Sequence, residues 1–266
     1  MRGYFTRARH RLRRVLPVVV LSAPFFFVSS PIQAQSRWSG DLGIERSSVT
    51  INGTDGVWGT ERIQALYRDP LKGGFFFGFE RHTRFDDVDG VGVAGGYRRL
   101  GDWTLAGNIG LSPRASFYAR QSAEVEVSRR VVGTLVPHVS YRFLNFREAR
   151  VHIVSPGATY YLPRGELHGR VFLSHNAALG ADAQSFFGRA QYQAHDRLRL
   201  TAGVAVGEAI FDITRLQEQP SDGWSLYWEA LVRIHRSGAV GVVVGVAHEE
   251  PSFDRRNLSL FYRRWF

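Results

Sequence analysis

The 266-residue chain contains no cysteine. That excludes a disulfide framework and any thiolate metal site, and it suits a protein that crosses an oxidising periplasm before folding. Past residue 34 there is no apolar run of roughly 18 residues or more, which excludes a transmembrane helix. The nucleophile motif G-x-S-x-G and the zinc motif H-E-x-x-H are both missing. No tandem repeat and no compositional shift marks a domain boundary.

What is present begins with Arg2, Arg7, Arg9, Arg11, Arg13 and Arg14, followed by the apolar stretch Val15–Val28 and the small-residue site ending at Ala34. This is the layout of a secretory signal peptide, so 1–34 is read as cleaved and 35–266 as one barrel domain. Those arginines account for six of the formal +10 charges, leaving about +4. The high isoelectric point is therefore no argument for nucleic acid.

The other end carries Leu258, Leu260, Tyr262 and Phe266 on one side of an extended segment, with Ser259, Phe261 and Arg263 on the other. Residues two apart share a face of a strand. One face then meets lipid and the other an enclosed interior, and a terminal aromatic closes the pattern. Arg264 falls on the apolar side, where its long stem lets the charge reach the membrane surface. The same alternation recurs along the chain, as in Trp224, Leu226, Trp228, Ala230, Val232 and Ile234 against Ser225, Tyr227, Glu229, Leu231, Arg233 and His235. A closed barrel satisfies every backbone group in hydrocarbon.

The expected fold is all-β: a transmembrane antiparallel up-and-down barrel of about fourteen strands. They are placed at 37–51, 57–68, 74–85, 91–100, 103–112, 122–132, 137–143, 149–161, 167–174, 184–194, 198–207, 223–235, 239–248 and 257–266. Twelve strands remain an alternative, because Pro156-Gly157 interrupts 143–161. From 69–73 onward every second connection is short, which puts the short turns and both termini on the periplasmic side. Trp38, Trp103, Trp224, Tyr192, Tyr262 and Phe266 lie near strand ends, as interfacial girdles require.

In this register the interior receives Arg62, Arg84, Arg98, Arg130, Arg142, Arg170, Arg189, Arg199, Arg233 and Arg263, against Glu80, Glu124, Glu126 and Glu229. His82, His138, His168, Gln191, Trp58, Phe172, Phe187 and Tyr227 join them. Arg81 and Arg129 fall on the lipid side. Two readings compete: a lumen filled by arginine–glutamate networks, or a wet passage whose excess positive charge favours anions.

Three local motifs point to chemistry and each has a plainer reading. Gly90, Gly92 and Gly95 spell G-x-G-x-x-G, but the nucleotide motif needs a following helix and an extended run follows here. Asp86-Asp87-Val88-Asp89-Gly90 clusters carboxylates in an expected outer loop, yet Asp-Gly is also an ordinary hairpin turn. Ser174-His175 stands at an outer strand end, where lipid A hydrolases work, but adjacent strand residues point to opposite faces. Arg114, Arg120, Arg147, Arg150, Arg215, Arg255 and Arg256, in or beside expected outer loops, are either a set that pairs with lipopolysaccharide phosphates, for which arginine's fork is suited, or a merely solvated charged surface.

Phe117-Tyr118-Ala119-Arg120-Gln121, Val139-Ser140-Tyr141-Arg142-Phe143, Asn145-Phe146 and Pro156-Gly157-Ala158-Thr159-Tyr160-Tyr161 resemble the YaiO-type outer-membrane β-barrels, with a looser likeness through Val206-Gly207-Glu208 and Phe266. The resemblance covers most of 100–266. It implies a barrel in the outer membrane and attaches no enzymatic activity. Some relatives carry a helical repeat domain ahead of the barrel, and none is read here. The expectation is a small channel or export barrel for anionic or saccharide solutes, with no cofactor and no metal. The alternatives are a non-conducting structural or surface-interaction barrel and, last, a lipid A hydrolase. Expected partners are outer-membrane lipid and lipopolysaccharide, the barrel assembly machinery and periplasmic chaperones, and no nucleic acid.

Overall fold

The computed structural model describes residues 37–69, 71–131, 133–208 and 222–266. The signal-peptide segment and most of the 208–222 loop, Arg215 included, lie outside them. Fourteen strands follow in order: β1 Trp38–Ile51, β2 Thr54–Asp69, β3 Gly73–Arg84, β4 Asp87–Leu100, β5 Trp103–Leu111, β6 Gln121–Arg129 and β7 Leu135–Asn145. Then come β8 Arg150–Leu162, β9 Gly165–Asn176, β10 Ala181–His195, β11 Leu198–Glu208, β12 Asp222–His235, β13 Gly238–Glu249 and β14 Phe253–Trp265. Each pairs antiparallel with its sequence neighbours, and β1 pairs with β14, so the sheet closes on itself.

Alternation dictates the two surfaces. Along β14, Leu258 and Leu260 are exposed to the outside while Phe261 and Arg263 are buried inside. Leu42, Ile44, Ile63, Phe75, Phe77, Phe79, Val242 and Val244 continue the exposed apolar band around the wall. Trp38, Tyr67 and Phe75 meet with ring centroids 5.2 to 5.6 Å apart at one rim, the aromatic girdle. That rim carries the short turns at 101–102, 163–164, 196–197 and 236–237, together with the start of β1 and the end of β14. It is the periplasmic rim.

Two expectations about connections change. The first outer hairpin is a tight Asn52-Gly53 turn with positive φ at both residues (51° and 74°), as a type I′ turn requires, so β1 and β2 run almost into each other. Asp87 to Gly90 likewise belong to β4 rather than to a loop. Pro156-Gly157 does not divide a strand. Pro156 stands on the outer face of β8, paired with Val139, and the ladder to β9 resumes at Gly157 in the same register.

The charge-lined barrel interior

The register decides which side chains meet inside. Arg62, Glu80, Arg84, Glu126, Arg142, Arg170, Arg189, Arg199, Tyr227, Glu229 and Arg233 occupy the inner row of their strands, together with Asp41 and Arg263. Arg98 does not. It pairs with Gly73 and Leu105 on the outward row near the periplasmic rim, and Arg99 takes the inner position. The reason is local: Gly90, Gly92, Gly95 and Gly96 carry no side chain to mark a face, so alternation is illegible there and a one-residue slip exchanges the faces.

Inside, arginines stand against carboxylates. Arg263 on β14 donates from Nε and Nη2 to the two oxygens of Asp41 on β1, at 2.7 and 2.6 Å. Arg255 reaches Glu45 at 2.5 Å across the same seam. Arg142 donates to Glu124 at 3.0 and 2.5 Å, and Arg170 bridges Glu124 at 3.6 Å and Glu126. Arg189 meets Glu166 at 2.5 Å and Arg199 meets Glu229 at 3.3 Å. These pairs lie deep: Arg170 is 5 % exposed and Glu166 3 %. Removing charges from water is costly unless each is paired and hydrogen-bonded, and here the pairing runs around the wall.

The sequence reading undercounted the acids. Asp41, Glu45, Asp89, Glu166 and Glu249 also face inward, so the interior is charge-balanced rather than strongly positive. Flat rings lie among the charges. His138 and His168 stack at 4.9 Å, and Phe187 and Tyr227 at 6.5 Å.

The outer mouth is built differently. Asp89 accepts the backbone N–H groups of Ser116, Phe117 and Tyr118 at 2.8, 2.9 and 2.8 Å. This draws the loop between β5 and β6 inward. Its side chains meet inward-facing groups: Phe117 lies 4.7 Å from the Arg84 guanidinium, Tyr118 stacks on His82 at 4.7 Å, and Ala119 packs with Leu144, Val151, Ile153 and Phe172. Burial, with the Glu80 carboxylate adding to it, raises the Tyr118 phenol above its ordinary value, so it stays protonated. Arg84 also sits 4.7 Å over Trp58, which joins Val49, Ile51 and Phe253 in a second apolar cluster. The mouth is thus occupied by an apolar, loop-built layer above a polar middle. No alternation pattern announces this, because the loop's burial comes from Asp89 on a strand elsewhere in the sequence.

The three local motifs resolve by position. The glycines of G-x-G-x-x-G lie within β4, with no helix after them. Asp89 is turned inward to the loop, and among the described residues no group of three His, Cys, Asp or Glu is arranged to hold a metal. Ser174 faces inward and donates to the Ala183 carbonyl at 3.1 Å, while His175 faces outward against Asp182 at 2.8 Å. A nucleophile and its base are not brought together there.

A closed barrel with an apolar outside, aromatic girdle and polar inside is an integral outer-membrane β-barrel protein of a Gram-negative cell envelope. Within that class the chain belongs to the YaiO family: the model of the YaiO membrane beta barrel domain matches residues 52–209. That match starts earlier and ends sooner than the resemblance read from the sequence. No curated protein matches. Among solved structures the fold is similar to a monoaromatic hydrocarbon channel, the TodX deltaS2 mutant, at 8 % identity and a TM-score of 0.58, covering 88 % of this chain and 91 % of that one. It is similar also to the Acinetobacter baumannii outer membrane protein Omp33, at 11 % identity and a TM-score of 0.54, covering 88 % of this chain and all of that one. A bacterial polysaccharide outer membrane secretin gives 13 % identity and a TM-score of 0.53, covering 85 % and 98 %. At such identities the likeness is one of fold.

Proposed function

We propose that the protein is a narrow transport barrel for a polar solute of saccharide type, held shut in this structure. The observation that carries the reading is the charge-balanced interior. Hydrogen-bonding pairs such as Arg142–Glu124 and Arg189–Glu166 alternate with flat rings such as Tyr227 and His168. Such a lining offers donors, acceptors and stacking faces with little net charge, which suits a sugar better than a simple anion. The inward loop at 112–120 acts as the closure. In planar bilayers the wild-type barrel is expected to give small conductance with weak charge preference, and replacing 113–119 by a short glycine linker to raise it severalfold. Silence from both proteins would end this reading.

A second reading, an envelope-structural or surface-interaction barrel, is favoured by the deep burial of Arg170, Glu124 and Arg263. It is the outcome that silence in both bilayer experiments would support.

A further inference from the structure

The outer wall of a membrane barrel is apolar because hydrocarbon offers charges no solvation. One sector departs from this. Arg46, Glu61 and Arg81 all face outward on β1, β2 and β3, with Glu61 between the two arginines at 3.7 and 3.2 Å. Their side chains are 60, 44 and 48 % exposed. Gly59 leaves the room in which the Arg46 guanidinium lies against the wall, since a Cβ there would stand 2.1 Å from its Nη1. Arg256 on β14 also faces outward, opposite Ser48, one step along the outward row from Arg46. Such diagonal neighbours are about 7–8 Å apart. Along four adjacent strands the outward rows thus carry Arg256, Arg46 and Arg81, with Glu61 between the last two and Asp254 two residues from Arg256 on the mouth side.

Height along the wall explains why this is tolerated. Arg46 is eight residues along β1 from the girdle residue Trp38. At about 3.3 Å per residue and a tilt of about 40°, that is roughly 20 Å up an apolar band about 25 Å tall. By the same measure Arg81, six residues along β3 from the girdle residue Phe75, stands at roughly 15 Å, so Arg46 lies near the outer edge of the hydrocarbon and Arg81 lies below it, its long stem carrying the charge toward that edge. That edge is where the headgroups of the outer leaflet begin.

The wall beside this sector is notched. A groove of about 460 Å³ runs over β4 to β7, lined on the outside by Ala94, Gly107, Ile109, Ala123, Val125 and Tyr141. It exists because Ala94, Gly107 and Ala123 occupy adjacent outward positions where neighbouring strands carry larger side chains. It is apolar, and Ala94 in its lining lies four residues nearer the periplasmic rim along β4 than Gly90, the ladder partner of Arg81.

We propose that this sector binds a phosphorylated glycolipid of the outer leaflet, of the lipid A type. Arg46, Arg81 and Arg256 take its phosphates and the groove takes an acyl chain. Glu61 holds Arg46 and Arg81 on either side of it, and the phosphates take the N–H donors that this pairing leaves. A guanidinium fork matches a phosphate with two parallel hydrogen bonds, which gives the site its preference for phosphate over a neutral headgroup. The site is independent of whether the interior conducts.

The test uses the full barrel in detergent, mixed with bis-phosphorylated lipid A or its phosphate-free counterpart and read by native mass spectrometry. The wild type should retain bis-phosphorylated lipid A about tenfold more strongly than an R46Q/R81Q/R256Q variant, as expected for losing charge-assisted contacts. The phosphate-free lipid should bind both proteins equally and weakly. R98Q, which removes an outward arginine at the opposite rim, should leave retention unchanged. Heat-modifiable migration on gels confirms that each variant is a folded barrel. Equal retention by wild type and triple variant would overturn the proposal, as would equal binding of the two lipids. Complete displacement of the lipid by millimolar inorganic phosphate would also overturn it, by reducing the site to a plain anion site. So would loss of self-association in the triple variant with lipid retention intact, which would make the sector a contact between copies.

Discussion

Arg263 on the last strand holds both carboxylate oxygens of Asp41 on the first, at 2.7 and 2.6 Å, and the two residues stand directly opposite in the ladder. The pair closes the seam at which the sheet meets itself. Both side chains are nearly buried, at 8 and 9 % exposure, so removing one leaves an uncompensated buried charge. Asp41→Asn should lower the barrel's resistance to denaturant by about 3 kcal/mol, and the apolar double change Asp41→Leu with Arg263→Met should recover most of it. Urea unfolding followed by tryptophan fluorescence measures both. Equal stability of Asp41→Asn and wild type would contradict the seam's role.

Asp89 fixes the mouth loop by accepting three backbone N–H groups. Asp89→Asn keeps the shape but removes the full charge and exchanges one acceptor oxygen for a donor, which weakens charge-assisted hydrogen bonds. The loop should then leave the lumen. Chymotrypsin added to the outside of intact cells should cleave at Phe117 or Tyr118 in the variant and leave the wild type uncut, where Phe117 is 1 % exposed. Uncut Asp89→Asn protein would show that apolar packing of Phe117 and Ala119 holds the loop unaided.

Phe266 lies outward at the periplasmic rim, its N–H donating to the Trp38 carbonyl at 3.0 Å and its ring 5.5 Å from the Arg264 guanidinium. With 71 % of its surface exposed it contributes little to the folded barrel. Phe266→Ala should reduce the amount recovered in the outer membrane severalfold while the purified, refolded variant keeps its β circular dichroism and thermal midpoint. A matching loss in the refolded protein would assign Phe266 to stability instead of assembly.

The legible parts of the molecule were those with side chains that differ sharply between neighbours. Trp224 to Ile234 has an apolar residue at every second position, and Leu258 to Phe266 does so except at Arg264, so strand, face and lipid side follow directly. Arg81 and Arg129, unwelcome on the lipid side in the sequence reading, do face outward, Arg129 with Trp103 at 5.0 Å and Arg81 with Glu61 at 3.2 Å. Where glycine replaces the pattern, as before Arg98, the face was misassigned. Asn52-Gly53 is an I′ turn signal in plain view, yet the following Thr54-Asp55-Gly56 has loop composition and hid the continuing strand.

By itself, the order of amino acids determined the fold class, most of the membrane-facing surface and the rim at which the chain enters and leaves. These follow from period-two alternation and turn length, which act between residues close in sequence. Tertiary structure alone decided which charges meet. Asp41 and Arg263 are 222 residues apart and become neighbours only when the cylinder closes, while Arg170 reaches Glu126 past two intervening strands because the wall curves. The balance of charge in the lumen and the inward turn of the mouth loop depend on that closure, since a carboxylate's partner is fixed by distance through space and no periodicity along the chain encodes it.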